Sequence, residues 1–274
     1  MPLRTTFVAD LTYRATVRAS RAAFRALRLD VRHEGARHVP AEGPALLVAN
    51  HASYLDFLFL GVPAVERGRT PRFLCREPMW HTPAGWALDR MHHVPVDRAA
   101  PAGAYLEARR LLEAGEVVGL FPEAGISYSF TVRALMRGAA SLARDTGAPL
   151  VPGAMWGAQR IWTVGRTPWG TEPGPDFSRH GRVVDIHLDP PLHVAPGDDL
   201  TEVTTALGHR ITGLLEELQR RPHHRPRPGE HAPWYPAHLG GQGLTPTEAR
   251  ELDSVPRSAV WPTWGPGAGS RLEG

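Results

Sequence analysis

Residues 45–60 read ALLVANHASYLDFLFL, an apolar stretch that His51 and Asp56 interrupt. Titratable side chains are costly in apolar surroundings unless they pair with each other or meet a polar ligand. On one continuous helix, positions five apart point about 140° away from each other, so these two side chains meet only if the chain turns between them. We therefore predict a strand over residues 45–49, a loop that carries His51, and a helix that a Ser53–Asp56 capping box starts.

The same two side chains are the first candidates for a catalytic pair. A neutral imidazole that a carboxylate orients is a general base. The structural alternative is that Asp56 only caps the helix and that His51 is a core histidine with its hydrogen bonds satisfied. The H-x4-D spacing by itself does not separate the two interpretations.

Outward from this stretch, short apolar runs alternate with helical patterns. The predicted strands are 45–49, 72–76, 93–97, 117–121, 149–155 and 183–188, and the predicted helices are 54–65, 80–90, 102–114, 131–146 and 201–220. Strands separated by helices of about 10 to 15 residues indicate βαβ units, so we expect an α/β fold with a mostly parallel central sheet flanked by helices. Function collects at the carboxyl ends of such strands, where His51, Arg98 and Glu123 should converge.

Three segments are expected along the chain. Residues 1–32 are predicted as an N-terminal basic amphipathic helix, residues 33–221 as the main domain, and residues 222–274 as a Pro-, Gly- and His-rich tail that docks in part. The tail histidines, His223 and His224 among them, fit no standard ligand spacing and have no cysteine or acidic partner, so we predict no metal site.

The N-terminal segment carries six arginines in steps of four and three, which would form one stripe on a helix: Arg14, Arg18, Arg21, Arg25, Arg28 and Arg32. Such a helix either lies on an anionic membrane surface with its aromatic residues at the acyl boundary, or packs on the domain with an ordinary solvated face. Residues 1–20 lack a signal-peptide pattern, and no uncharged apolar run reaches spanning length. We expect peripheral association with the cytoplasmic side of the cell membrane.

Composition is that of a globular protein of 274 residues, 42% of them hydrophobic, with a formal net charge of +3. All 31 basic residues are arginine. The net positive charge permits attraction to anionic surfaces. We do not predict nucleic acid as a partner. Cys75 is the single cysteine, which excludes a disulfide within the chain and a thiolate metal cluster.

Four short blocks carry a resemblance to a known family. They read NHASYLD at 50–56, VPVDR at 94–98, FPEAGIS at 121–127 and APLVPGA at 148–154. In order and spacing they resemble the four sequence blocks of the glycerolipid acyltransferases, whose best-known members are the 1-acylglycerol-3-phosphate acyltransferases. The resemblance covers about residues 33–195 and implies the same α/β arrangement.

The resemblance implies an O-acyltransferase of phospholipid synthesis that needs no cofactor. It would move a fatty acyl group from acyl-CoA or acyl carrier protein to a hydroxyl of a lysophospholipid acceptor, most simply 1-acylglycerol-3-phosphate. His51 would be the general base and Asp56 would hold its tautomer. The predicted substrate-binding residues are Arg98, Glu123, Gly125 and Ser127.

The third block departs from the family pattern. Where the family has a Gly-Thr-Arg-Ser run, this chain has Ala124 to Ser127, with Ile126 in the place of the arginine that helps to hold the acceptor's phosphate. Arg133 or Arg137 could replace that charge, although we expect both at the surface. The departure keeps two alternatives open: an acyltransferase for a different hydroxylated lipid or glycolipid, and a lipid-binding module without catalysis.

Overall fold

The computed structural model describes residues 3–165 and 172–268, with side chains from residue 11 onward. The predicted main domain and tail therefore each include a short stretch, 166–171 and 269–274, that lies outside the described residues.

One seven-stranded sheet forms the centre of the molecule, in the order β1-β7-β6-β2-β5-β3-β4. Its strands are β1 Asp30–Glu34, β2 Ala45–Ala49, β3 Arg72–Arg76, β4 Val94–Val96, β5 Val117–Leu120, β6 Leu150–Trp156 and β7 Val183–Leu188. Every neighbouring pair is parallel except β6 and β7, which are antiparallel. The mostly parallel α/β fold expected from the sequence is confirmed.

Helices cover both faces of this sheet. They are α1 Leu3–Ala26, α2 Asp56–Glu66, α3 Gly85–Arg90, α4 Ala102–Glu113, α5 Gly138–Thr146, α6 Leu200–Gln219 and α7 Pro246–Ala249. Alternate residues of β2 enter two different cores: Leu46 and Val48 join the core under α4, α5 and α6, and Leu47 joins the core under α2. Burial on both faces explains why β2 is a continuous apolar run and not an alternating one.

The prediction of a helix through residue 32 was wrong. The helix ends at Ala26, Arg28 adopts a left-handed backbone with φ 55°, and residues 30–34 form β1. β1 pairs in parallel with β7 along the edge of the sheet, with Asp30 opposite Val183. Arg32 therefore lies on a strand, where its side chain pairs with Asp30, and does not extend the arginine stripe.

The aromatic side chains of α1 contact the domain. Tyr13 is buried, and its hydroxyl donates to the Pro71 carbonyl at 3.1 Å. Phe24 stacks on Phe59 of α2 with ring centroids 5.0 Å apart. The proposal that these aromatics sit at an acyl boundary was therefore wrong, whereas four arginines of α1 are exposed: Arg14, Arg18, Arg21 and Arg25. Within the part of the chain that is described, no helix has the length and apolarity to span a membrane.

The helix predicted for residues 131–146 begins only at Gly138. The preceding residues use their backbone groups in bonds to distant segments: Val132 accepts from Trp264 Nε1 at 3.1 Å, and Leu135 forms a bridge with Val260. Those two bonds attach the tail to the domain. The helix predicted for 80–90 is likewise shorter, because residues 77–81 form a 3₁₀ turn and α3 starts at Gly85.

Candidate active site

The loop between β2 and α2 brings His51 and Asp56 together. His51 Nδ1 lies 2.9 Å from Asp56 Oδ2, and the same oxygen accepts the backbone N–H groups of Ala52 at 2.7 Å and Ser53 at 2.8 Å. Asp56 is the first residue of α2 and its side chain is 2% exposed. The three donors hold this carboxylate in one position, so it can orient the imidazole as a general base requires.

The capping box predicted at this position is only half formed. Ser53 N–H donates to the Asp56 side chain, but the Ser53 hydroxyl donates to the Trp162 carbonyl at 2.6 Å and accepts from Leu55 N–H. The helix accordingly begins at Asp56, two residues later than expected. Ser53 thus ties the catalytic loop to the segment after β6.

The imidazole of His51 is held on one face and open at one end. Its ring stacks on Phe121 with centroids 4.3 Å apart and planes 14° apart, and its side chain is 20% exposed. Among the described residues, Nε2 has no hydrogen-bond partner. A substrate hydroxyl can therefore approach the nitrogen that is not engaged by Asp56.

Glu123 lies beneath the loop and not in the open site. Its carboxylate accepts His51 N–H at 2.7 Å and Arg133 N–H at 3.1 Å, and the residue is 2% exposed. Burial raises the pKa of Glu123 to about 8, although the Arg133 charge and both backbone hydrogen bonds act in the opposite direction. The carboxylate that we predicted to bind substrate thus fixes the loop that carries His51.

Ser127 also holds the loop together. Its N–H donates to the His51 carbonyl at 2.9 Å, and its buried hydroxyl donates to the Thr131 carbonyl at 2.7 Å. The hydroxyl group that we predicted to contact substrate is thus committed to the protein's own backbone.

Three guanidinium groups lie beside this loop, those of Arg76, Arg98 and Arg133. Arg98 donates from Nη2 to the Ala124 carbonyl at 2.5 Å, and burial together with the charges of Arg76 and Arg133 lowers the pKa of Arg98. A Cβ atom on Gly125 would lie 2.4 Å from Arg133 Nη2, so this glycine lets the guanidinium approach the backbone. Arg76 and Arg98 are exposed, and their two positive charges favour an anion such as a phosphate.

The surface position predicted for Arg133 was wrong, whereas Arg137 is exposed as expected. Arg133 donates from Nη1 to Asp253 at 2.7 Å and from Nη2 to the Glu123 carbonyl at 2.8 Å. Asp253 belongs to the tail, 120 residues further along the chain. No local pattern in the sequence points to this partner. Ile126, in the place of the family's arginine, is buried.

An apolar groove opens between α1 and α2. Its lining includes Phe57, the residue after Asp56, and it encloses about 80 Å³. Its lining includes Tyr13, Val17, Phe24, Phe57, Val65 and Phe73. On the same measure a single water molecule needs about 10–15 Å³, so the groove offers more room than one solvent molecule requires.

A second cluster of titratable side chains lies away from this site. Asp185 on β7 lies within hydrogen-bond distance of both His223 and His224. The expectation that the tail histidines lack an acidic partner was wrong, because that partner comes from a strand nearly forty residues earlier.

Comparisons with known proteins agree on one family. Residues 30–156 match the family model described as Acyltransferase. The chain is 29% identical over 205 residues to a 1-acyl-sn-glycerol-3-phosphate acyltransferase of Bacillus subtilis, covering 71% of this chain and 92% of that protein. It is 31% identical over 173 residues to a chloroplastic enzyme of the same name from Arabidopsis thaliana, covering 61% of this chain and 45% of that protein. The chain thus spans less than half the length of the plant relative.

A solved structure matches the fold. The crystal structure of the 1-acyl-sn-glycerophosphate acyltransferase PlsC from Thermotoga maritima superposes with a TM-score of 0.60 and 24% sequence identity. The match covers 79% of this chain and 82% of that chain.

Proposed function

We propose that this protein moves a fatty acyl group from a thioester to a hydroxyl of 1-acylglycerol-3-phosphate, since residues 30–156 match the family model described as Acyltransferase. The observation that carries the proposal is the His51–Asp56 pair, 2.9 Å apart at the carboxyl end of β2, with one imidazole nitrogen open to a substrate. The relatives from Bacillus and Arabidopsis bear the name of this reaction.

In this mechanism, His51 Nε2 removes the proton of the acceptor hydroxyl as the oxygen attacks the thioester carbonyl. Asp56 holds the proton on Nδ1 and stabilises the imidazolium that forms. When the tetrahedral intermediate collapses, the carbon–sulfur bond breaks and the thiolate takes the proton from His51. No covalent enzyme intermediate is needed, since the thioester is already activated, and orientation of the two substrates supplies much of the acceleration.

The acceptor's phosphate is assigned to Arg98, with Arg76 beside it. Both residues are exposed at the ends of neighbouring strands, and Arg133 adds positive charge from below. The groove between α1 and α2 is assigned to the acyl chain, because its lining is mostly apolar and includes Phe57, the residue after Asp56. The acyl donor is either acyl-CoA or acyl carrier protein, and none of these steps requires a cofactor.

One observation favours a second candidate, transfer to a different hydroxylated lipid or glycolipid. Ile126 is buried where the family has an arginine, so this position offers a phosphate no charge. The Arg76–Arg98 pair argues for the phosphate-bearing acceptor, and the intact dyad argues against a lipid-binding module without catalysis.

Peripheral association with the cytoplasmic face of the membrane is part of the proposal. Its support is a row of exposed arginines on α1, which can contact anionic headgroups while Tyr13 and Phe24 of the same helix pack on the domain: Arg14, Arg18, Arg21 and Arg25.

The test is to supply labelled acyl-CoA with a panel of lysolipids and glycolipids and to identify the product by mass spectrometry. We expect His51→Ala to reduce turnover by about 10²–10⁴-fold, the contribution of a general base, and Asp56→Asn to lower it steeply as well. The matched control is His81→Ala, which removes an exposed histidine paired with Glu77. Undiminished transfer by a folded His51→Ala protein would contradict the assignment of the base.

A further inference from the structure

Three metal-ligand side chains converge on one point at the junction between β7 and the tail. His223 Nε2 lies 2.6 Å and His224 Nε2 lies 3.0 Å from the same carboxylate oxygen, Asp185 Oδ2. The two histidines sit in a 3₁₀ turn, Pro222–His224, directly after α6, with ring centroids 4.5 Å apart. All three ligand atoms lie within 4.8 Å of one another.

The two carboxylate oxygens of Asp185 differ in the number of their hydrogen-bond partners. Oδ2 is shared by two imidazoles, whereas Oδ1 is buried and has no hydrogen-bond partner among the described residues. Asp185 is 1% exposed, and a buried polar oxygen without a partner costs free energy. An ion bound to the cluster would satisfy this carboxylate better than two imidazoles on one oxygen.

Arg221 does not occupy the site. Its Nη1 lies 3.5 Å from Asp185 Oδ2, too far for a good hydrogen bond, while its Nη2 is held by Glu34 at 2.8 Å and by Glu217 at 3.1 Å. Those two carboxylates offset the guanidinium charge, so the cluster keeps a negative surplus toward a divalent ion.

We propose that Asp185, His223 and His224 form a binding site for a divalent transition-metal ion of the zinc class, which joins the tail to the sheet. Two imidazoles and a carboxylate are a ligand set that zinc accepts, with bonds of about 2.0–2.2 Å. Tetrahedral bonds of that length place ligand atoms roughly 3.3 Å apart. Relative to the present 2.6 Å and 3.0 Å, His223 Nε2 would need to withdraw from Oδ2 by about 0.7 Å and His224 Nε2 by about 0.3 Å. His223 is 31% exposed, which leaves a fourth position for water.

This site is separate from the acyl transfer chemistry. It involves β7 and the segment after α6, beyond residues 30–156 that match the family, and it shares no residue with the catalytic loop. Its role is to hold the start of the tail, whose later residues contact Arg133 and Val132. Metal binding should therefore stabilise the fold whether or not the protein transfers acyl groups.

The experiment uses untagged full-length protein that has been stripped with a chelator, desalted and titrated with Co²⁺. We expect one saturable equivalent per chain, visible as the d–d absorption of a low-coordinate cobalt site, displacement by Zn²⁺, and a melting temperature that rises with metal concentration. Absence of a saturable equivalent in the wild-type protein would overturn the proposal.

The informative variant is His223→Gln, at the partly exposed ligand. A glutamine amide can still donate a hydrogen bond to Asp185 but supplies no imidazole nitrogen, so cobalt affinity should fall by at least about 100-fold, the upper end of what losing an outer partner costs. The melting temperature of the metal-free protein should change little. The matched control is His231→Gln, an exposed tail histidine outside the cluster. Equal cobalt binding by His223→Gln and the wild type would show that the ion sits elsewhere and would refute the assignment.

Discussion

At the scale of single residues, Asp56 makes more hydrogen bonds than the orientation of a catalytic histidine requires. One of its oxygens accepts from His51 and from two backbone N–H groups of the loop. The loop that bears the proposed base is therefore folded around the carboxylate that orients it. Loss of Asp56 removes the partner of the imidazole and the anchor of the loop together.

Arg98 is the residue on which the acceptor's phosphate should depend. We expect Arg98→Ala to raise the KM for the lysophospholipid at least about tenfold, because a hydrogen bond to a charged group contributes roughly 1.5–3 kcal/mol. The KM for the acyl donor should change much less. Steady-state kinetics with each substrate varied in turn measures both constants, and Arg109→Ala, which removes an exposed arginine paired with Glu113, is the control. An unchanged acceptor KM would remove Arg98 from the phosphate site.

Glu123 should make stability depend on pH in an unusual direction. Its pKa is about 8 in the folded protein, above the ordinary 4.5, so between these values the native state holds a proton that the unfolded state has lost. The contribution of this group is present in full below the ordinary pKa and is lost as pH rises toward 8.

The comparison of wild type with Glu123→Gln isolates that contribution. We expect the free energy of unfolding of the wild type, relative to the variant, to fall by a few kcal/mol between about pH 5 and pH 8, at up to roughly 1.4 kcal/mol per pKa unit. Urea denaturation at both pH values provides the measurement. A difference between the two proteins that is constant with pH would mean that Glu123 titrates normally.

Residue-level prediction from the sequence was limited by distance along the chain. His51 and Asp56 are five positions apart, and their apolar flanks drew attention to them. The partner of Arg133 lies 120 residues away in a tail rich in proline and glycine, and a single aspartate there carries no signal. The same holds for Asp185, since its two histidine neighbours follow it by 38 and 39 residues.

At the scale of elements, strands buried on both faces were the easiest to predict. β2 and β5 are continuous apolar runs, and β2 begins and ends where expected. β1 reads DVRHE, with burial on alternate positions and only one apolar residue, because it is an edge strand. Because this polar edge strand continues the arginine repeat of α1, its sequence has the pattern of a solvated helix. Its pairing with β7 depends on residues far along the chain, which the local sequence does not reveal.

The groove beside α2 should set the length of the acyl chain. Gly61 lines it, and a Cβ atom there would lie 3.5 Å from the Phe73 ring, an ordinary contact. We therefore expect Gly61→Leu to fill the groove and shift the preferred substrate to shorter acyl chains, with Gly61→Ala shifting it less. Competition among acyl-CoAs of different length, read by mass spectrometry, gives the profile.

The control for that variant is Gly103→Leu on α4, where no atom lies within 4 Å of the added Cβ position. It changes the same residue type in another helix without entering the groove. If the profiles of Gly61→Leu and Gly103→Leu coincide, the acyl chain binds elsewhere.

At the scale of the whole molecule, the tail completes the domain. It supplies Asp253 to Arg133, a bridge from Val260 to Leu135, and the buried Trp264 ring, which packs against Gly208 of α6. The loop that positions His51 is thus supported from a segment that the family match does not include.

Removal of the Asp253 carboxylate should show how much this contact of the tail contributes to stability and turnover. Asp253→Ala leaves the Arg133 guanidinium buried without its charge partner, which typically costs about 3–5 kcal/mol. We expect a loss of this size in the free energy of unfolding, together with lower turnover, because Arg133 also bonds the Glu123 carbonyl. Chemical denaturation and kinetics measure the two effects. The control is Glu251→Ala, at an exposed position two residues earlier, and equal stability of the two variants would argue against the support.

The pairing of β1 with β7 constrains how the chain folds during synthesis. Asp30 leaves the ribosome early, but its partner Val183 is made 153 residues later. At about 5–20 residues per second, the first strand waits roughly 8–30 s for its only neighbour. Over that interval β1 is nascent chain without its partner strand, a period in which chaperones can engage it before the edge of the sheet closes.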